Sequence, residues 1–543
     1  MKDGFRQSMA WLHTWSGLLV CWVLFLVFAG GTASYFRDEI SLWMKPELHA
    51  TIAANVTPTR AAENALRALQ QKAPDATRWF VTLPDDRAPT MRIAWQPPKA
   101  PGEKAARFQN EILDSATGEK MATVRETRGG EFLYRLHYDL HYMPALWARW
   151  IVGFCAMFML VAIISGVITH KRIFKDFFTF RRKKGQRSWL DAHNALAVLA
   201  LPYHLMITYT GLITLMFLYM PAGYQAVYNG DQKALIADVF PSSKETPAAG
   251  KPASLTAIAP LLAQAAQHWN GGQADRITVN HPGDANATIV VTRQYEKRLS
   301  YLRPSMRFNG VNGALISSSG DEVNGAAETR GVLYGLHMGH FSNPLLRMLF
   351  FICGLAGCAM VATGALLWAV KKRQNYAKVL ANGGRIGFGL RLVDGMNIGT
   401  IAGLPIAFAT YFWANRLLPV VMENRPETEI RYFFIAWAIA MIVAHVRPTR
   451  RMWQWQLGVG GFLFMALPIL NALTTDTHLG VTLFNGPLVY AGFDLIVLSL
   501  GCCLAYTSWK MRGKSPAIKA MVAKTAAQSV ASNNDKQAMP EAT

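Results

Sequence analysis

The chain has 543 residues, 51% of them hydrophobic and 16% charged, and its 55 basic against 34 acidic residues leave a net charge of +21. A soluble disulfide scaffold is excluded because all six cysteines fall inside apolar runs. Nucleic acid is not the expected partner, because the basic residues gather in short loops between those runs, where topology accounts for them.

Apolar runs of about 20 residues read as transmembrane helices, since lipid leaves an exposed backbone unsatisfied. Eight are predicted, at about 11–36, 148–169, 190–219, 345–370, 397–418, 431–446, 454–473 and 485–508, the sixth being the shortest. The first follows Lys2 and Arg6 and ends in AGGTAS, like a cleavable signal, but it is longer than a signal core and opens with WLHTW. It is expected to stay in the protein.

Between spans one and two, residues 37–147 carry a helical pattern (TPTRAAENALRALQQKA) and then alternating segments (RWFVTLP, TMRIAWQ, FQNEILD). Residues 220–344 repeat this order with SLTAIAPLLAQAAQHW, RITVN, ATIVVTR, MRFNG and GALISS. Both read as small α+β modules on the outer side, with His268 and His281 as surface residues. The connections HKRIFKDFFTFRRKKGQR, KKRQNYAKVLANGGRIGFGLR, HVRPTRR and WKMRGKSPAIKAMVAK follow spans two, four, six and eight. Every second loop and both termini are therefore expected in the cytoplasm.

The predicted organisation is a first span (1–36), an outer domain (37–147), two spans with a basic loop (148–219), a second outer domain (220–344), a fourth span with its loop (345–396), an added four-span bundle (397–509) and a disordered tail (510–543). The fold class is an α-helical integral membrane protein with about eight spans and two outer α+β domains.

The first four spans form a duplicated unit. Tyr134-Arg135-Leu136-His137 precedes the second span as Tyr334-Gly335-Leu336-His337 precedes the fourth. His13 lies 18 residues before Gly31 and His193 lies 18 before Gly211, while Ser165-Gly166 matches Thr363-Gly364. Such repeats commonly place a site at their interface.

The histidines gather at the two ends of these spans: His13, His170 and His193 at the cytoplasmic side, His137, His141, His337 and His340 at the outer side, with His204 deeper. At about 100° and 1.5 Å per residue, eleven positions bring His204 back to within roughly 20° of His193, about 16 Å along a continuous helix. That pattern suits haem, which neutral imidazoles from facing helices hold axially while small residues admit the macrocycle. Arg149 and Arg347, at matching places beyond the paired histidines, are candidates for haem propionates or for interfacial anchoring. Zinc fits less well, as neither HExxH nor CxxC occurs. Asp494, inside the eighth span, reads as a packing partner or as a proton carrier at a quinone site.

The stretches LHTWSG, RLHYDLHY, YGLHMGH, SGVITHKRIFKDFF and DSATGE resemble the PepSY-associated transmembrane proteins of bacterial inner membranes, over about residues 5–375. The resemblance is to the branch of haem-containing, pyoverdine-type reductases of iron-siderophore complexes. It implies ligand roles for His13, His137, His170, His193 and His337, to which His204 is added by position. Two b-type haems are expected, an inner one on His193 with His13 or His170 and an outer one drawing on His204, His337 and His137. The implied partners are a ferric siderophore, a quinol or cytoplasmic reductase as electron donor, and accessory periplasmic or membrane subunits. No GxGxxG fingerprint follows the spans, so NAD(P)H is not expected to bind directly. The alternatives are a haem-free regulatory protein, in which the histidines merely pack, and a siderophore transporter.

Overall fold

The computed structural model describes residues 4–512 apart from 52–55, 86, 99–107, 122, 171–180, 182–185, 232–233, 236–245, 296–297, 321–324, 378, 380–381 and 386. The tail beyond 512 and most of the basic loop after the second span lie outside the described residues.

Among the described residues, seven helices are long and apolar enough to cross a membrane, or eight if a bent pair is one span. The first is α1 (Phe5–Ser34), followed on the side that carries the β-sheet by α2 (Arg37–Trp43). The outer segment adds α3 (Pro58–Lys72) and α4 (Gly129–Asp139) before the second span, α5 (Ala145–Thr169). The third span departs from expectation: α6 (Gln186–Leu199) and α7 (Leu201–Thr214) meet at a 68° bend. Pro202, in the first turn of α7, has no N–H to continue the ladder from α6, so the chain turns at Ala200. His193 and His204 therefore sit on separate helices, and the eleven-residue argument for a common face does not hold.

The second outer segment contributes α8 (Ile258–His268) and α9 (Gly325–Met338) and leads into the fourth span, α10 (Pro344–Asn375). The remaining spans are α11 (Phe388–Leu417), α12 (Arg425–Val446), α13 (Arg450–Thr474) and α14 (Leu488–Lys510). α12, the run judged shortest, is 22 residues long because its first turn, with Pro426 at its start, is polar yet helical.

The two outer modules are not separate. Strands β1 (Arg78–Thr82), β2 (Met91–Gln96) and β3 (Gln109–Leu113) join β4 (Ala274–Asn280), β5 (Thr288–Arg293), β6 (Ser305–Asn309) and β7 (Leu315–Ser319) in one antiparallel sheet. Its order is β3-β2-β1-β4-β5-β6-β7, and β1 pairs with β4 from Arg78↔Asn280 to Thr82↔Arg276. Pairing the two modules edge to edge removes two open edges. Trp79, Val81, Ile93, Ile277, Val279 and Val291 point to one face and bury themselves with α3 and α8. The opposite face is free of these helices and carries Arg92.

The added bundle is tied to the outer layer through buried polar groups. Trp43 is fully buried, donates from Nε1 to Asp494 Oδ1 at 3.0 Å, and accepts at its carbonyl from Arg416 Nη2 at 2.7 Å. The Arg416 guanidinium lies 3.8 Å above the Trp43 ring. Asn471 Nδ2 donates to Asp494 Oδ2 at 3.1 Å. With two donors engaged, Asp494 serves as a packing partner in this arrangement. Arg425 and Glu429, in the first turns of α12, form an ion pair with no exposure on either side chain, and Asn415 donates to Glu429 at 2.8 Å.

The six cysteines, all inside apolar runs, differ in burial. Cys21, Cys155 and Cys358 are buried, Cys353 is half-buried, and Cys502 and Cys503 are exposed on α14. On a span, an exposed surface is a lipid-facing one, where a thiol meets no polarity penalty.

Removing one member of a buried ion pair leaves the other uncompensated, at about 3–5 kcal/mol. Arg425→Met is expected to lower the unfolding temperature of the detergent-purified protein sharply, while Arg60→Met, on the surface of α3, leaves it unchanged. Equal unfolding temperatures for the two variants would contradict the assignment.

Candidate functional site

Two cavities are stacked within the duplicated half. The inner one, of about 460 Å³, is lined by His13, His170, His193 and His204. The outer one, of about 310 Å³, is lined by His137, His337 and His340 together with Arg37, Arg87, Arg149 and Arg347. Both volumes fall in the range of small-molecule and cofactor sites. Leu24 and Met159 line both cavities and so form their common wall.

Each half of the repeat builds the same seat for an imidazole. His13 of α1 reaches across to α5, where its Nδ1 donates to the Ala162 carbonyl at 2.8 Å. His193 of α6 reaches to α10, where its Nδ1 donates to the Met360 carbonyl at 2.9 Å. One turn further along the receiving helix stands a glycine in each case. A Cβ on Gly166 would come within 3.1 Å of His13 Cε1, and one on Gly364 within 3.1 Å of His193 Cε1. The glycines are needed because the rings lie directly on the helix backbone. With Nδ1 committed as donor, Nε2 is the unprotonated nitrogen of each ring, the tautomer a metal takes.

Of the outer pair, His337 follows the same rule and His137 does not. His337 Nδ1 donates to the Ile207 carbonyl of α7 at 3.1 Å, and a Cβ on Gly211 would come within 3.0 Å of its Cε1. His137 Nδ1 bonds the Tyr134 carbonyl on its own helix, and the residue packs over Gly30 and Gly31 of α1. Burial pushes the His137 and His337 imidazoles down to about 4, so both are neutral at physiological pH.

Within the inner cavity the ring centroids of His13 and His193 are 6.2 Å apart, with the ring planes at 66°. His170 caps the end of α5, where its Nε2 accepts from Asn194 Nδ2 at 2.9 Å, so that nitrogen is already occupied. His204 is not with the outer group, as depth in the sequence suggested, but on the wall of the inner cavity. It is 1% exposed, neither ring nitrogen has a well-formed hydrogen bond, and its ring stands edge-on to Phe28, which lines the outer cavity. It thus occupies the partition between the two cavities.

Both arginines proposed for propionates line the outer cavity, and both hold a carboxylate already. Arg149 Nε donates to Asp139 Oδ1 at 2.9 Å, and Arg347 Nη1 donates to Glu39 Oε1 at 2.7 Å. Arg37 and Arg87 were not legible as site residues, because nothing in their spacing separates them from interfacial anchors. His340 also lines this cavity, stacked on Tyr295 at a centroid distance of 4.6 Å. His268 is exposed and His281 half-buried, both distant in sequence from the cavity linings.

A multi-pass membrane protein with one fused outer sheet and two histidine-lined cavities between duplicated spans is the class these features define. The chain matches the PepSY-associated TM region over residues 10–371 and belongs to that family. It is also similar to an uncharacterized protein of Pseudomonas aeruginosa, 25% identical over 377 residues, covering 66% of this chain and 90% of the relative. The family match ends at the close of α10, so α11 to α14 lie beyond it.

Crowding the seat tests it. Gly364→Val is expected to push His193 off the Met360 carbonyl and lower the unfolding temperature of the detergent-purified protein. Gly492→Val, where an added Cβ meets nothing within 4 Å, should leave it unchanged. Equal unfolding temperatures for the two variants would contradict the seat.

Proposed function

We propose that the protein is a transmembrane oxidoreductase that binds two b-type haems and reduces ferric-siderophore iron on the outer side of a bacterial inner membrane. The observation that carries this reading is the repeated seat, which turns the neutral Nε2-bearing imidazoles of His13 and His193 into one cavity. A metal held between two imidazoles at about 2 Å from each nitrogen separates the ring centres by roughly 6 Å. The observed 6.2 Å fits such a pair. His13 and His193 would hold the inner haem and His137 and His337 the outer one, with His170 and His204 beside them. Bound haem would supply a one-electron relay, as bis-histidine ligation leaves no open position for oxygen chemistry.

The protein's own residues supply orientation and environment. The Ala162, Met360 and Ile207 carbonyls fix the ring tautomers, and the apolar wall of Leu24 and Met159 keeps water out between the cavities. Arg149 and Arg347 line the outer cavity, and because each already pairs with a carboxylate, each would reach a carboxylate at a porphyrin edge only as a shared donor. A quinol or a cytoplasmic reductase would give up the electrons, and each Fe(III) chelate would take one to become Fe(II). Chelators built from hard oxygen donors hold Fe(II) less tightly, so reduction releases the metal. Both termini would lie in the cytoplasm.

Purified protein is expected to show a Soret band that shifts on dithionite reduction and to carry two haems per chain by pyridine haemochrome. His193→Ala should lose the inner haem, His337→Ala should perturb the outer one, and His281→Ala should change neither. A colourless wild-type protein from porphyrin-replete cells would overturn the proposal in favour of a haem-free regulatory role.

A further inference from the structure

Between α2 and the helix-free face of the sheet lies a third cavity of about 420 Å³. Its lining brings Arg37 and Lys45 from around α2, Arg87 from the loop after β1, and Arg92 from β2, against two carboxylates, Asp38 and Glu131. Both carboxylates are already engaged. Asp38 lies 3.4 Å from Arg37 and 3.3 Å from Arg87, and Glu131 bonds Arg135 at 2.9 Å with Arg37 at 3.6 Å. Among the described residues, the Lys45 and Arg92 side chains make no ion pair or hydrogen bond, so the lining carries two cations without a directly paired carboxylate. Arg37, Asp38 and Arg87 line this cavity and the outer histidine cavity alike, so one ion-paired wall separates the two.

We propose that this cavity docks an anionic, oxygen-rich chelate of a trivalent metal, with Lys45 and Arg92 as its principal contacts. The inference rests on the reductase reading above and names where its substrate sits. A guanidinium fork and an ammonium are the donors that match carboxylate or catecholate oxygens. Burial, and then the charge of Arg92, push the Lys45 ammonium down to about 8. A bound anion would relieve that penalty, so affinity should fall as pH rises through about 8. Arg92, Glu126, Glu429 and Glu47 are the charged groups acting on Lys45 there, and the three carboxylates hold its charge in place only in part.

Gallium(III) citrate is a redox-inert probe of this site, and its binding to the full-length protein can be followed by titration calorimetry whatever the haem does. The double variant Lys45→Gln with Arg92→Gln is expected to bind it about tenfold or more weakly. Lys251→Gln, on the exposed sheet periphery, should bind it like the wild type. An unfolding temperature equal to the wild type's shows that the double variant has folded. Docking is overturned if the wild type does not bind gallium citrate, if the double variant binds it equally, or if metal-free citrate or inorganic phosphate binds as tightly. A colourless wild-type protein that binds gallium citrate through Lys45 and Arg92 would sink the reductase reading and leave the docking site standing.

Discussion

A neutral imidazole inside a membrane has one nitrogen that must give a hydrogen bond and one left to accept. Here the donor is committed across a helix interface. Ala162, Met360 and Ile207 supply carbonyls that also accept from a Ser or Thr hydroxyl three residues on, and the added hydrogen bond from the imidazole fixes the ring of His13, His193 or His337. Glycine on the receiving helix is what lets the ring come close enough. Everything proposed about the cavities depends on this contact, because it decides which nitrogen of each ring faces inward and holds that ring still before any ligand arrives.

The outer layer explains why the two halves of the repeat keep their register. A sheet completed by β1 pairing with β4 makes each half the edge partner of the other, and α2 packs against α4 and against α14 of the added bundle. Trp43 locks α2 from below through Asp494 and Arg416. The same helix presents Arg37 to the outer cavity and, just past its end, Lys45 to the cleft above. The added bundle, lying beyond the family match, thus holds α2, which contributes to the lining of the outer cavity.

Much of this was legible in the sequence. Length and hydropathy located the spans, and the paired Tyr-x-Leu-His and Ser/Thr-Gly motifs marked the duplication whose glycines and histidines meet in space. The bend at Ala200 was missed because periodicity over 190–219 is continuous, although Pro202 supplied the local reason for a break. Fusion of the two modules could not be read, since β1 and β4 are nearly two hundred residues apart and edge pairing leaves no local pattern. His204 is read from its depth and from the face that a continuous helix would share with His193, and the bend redirects it from the outer group to the partition. Arg416, Arg425 and Glu429, charged residues at the ends of apolar runs, were the overlooked signal for the buried network.

The central claim is that imidazoles from neighbouring helices ligate iron in pairs at two depths. Electron paramagnetic resonance of the oxidised protein tests it most directly, because paired imidazoles make ferric haem low-spin. The account predicts two distinct low-spin signals, one vanishing when His13 or His193 is replaced and the other when His137 or His337 is replaced. Signals that survive all four replacements, or a wild-type spectrum with only high-spin iron, would contradict it.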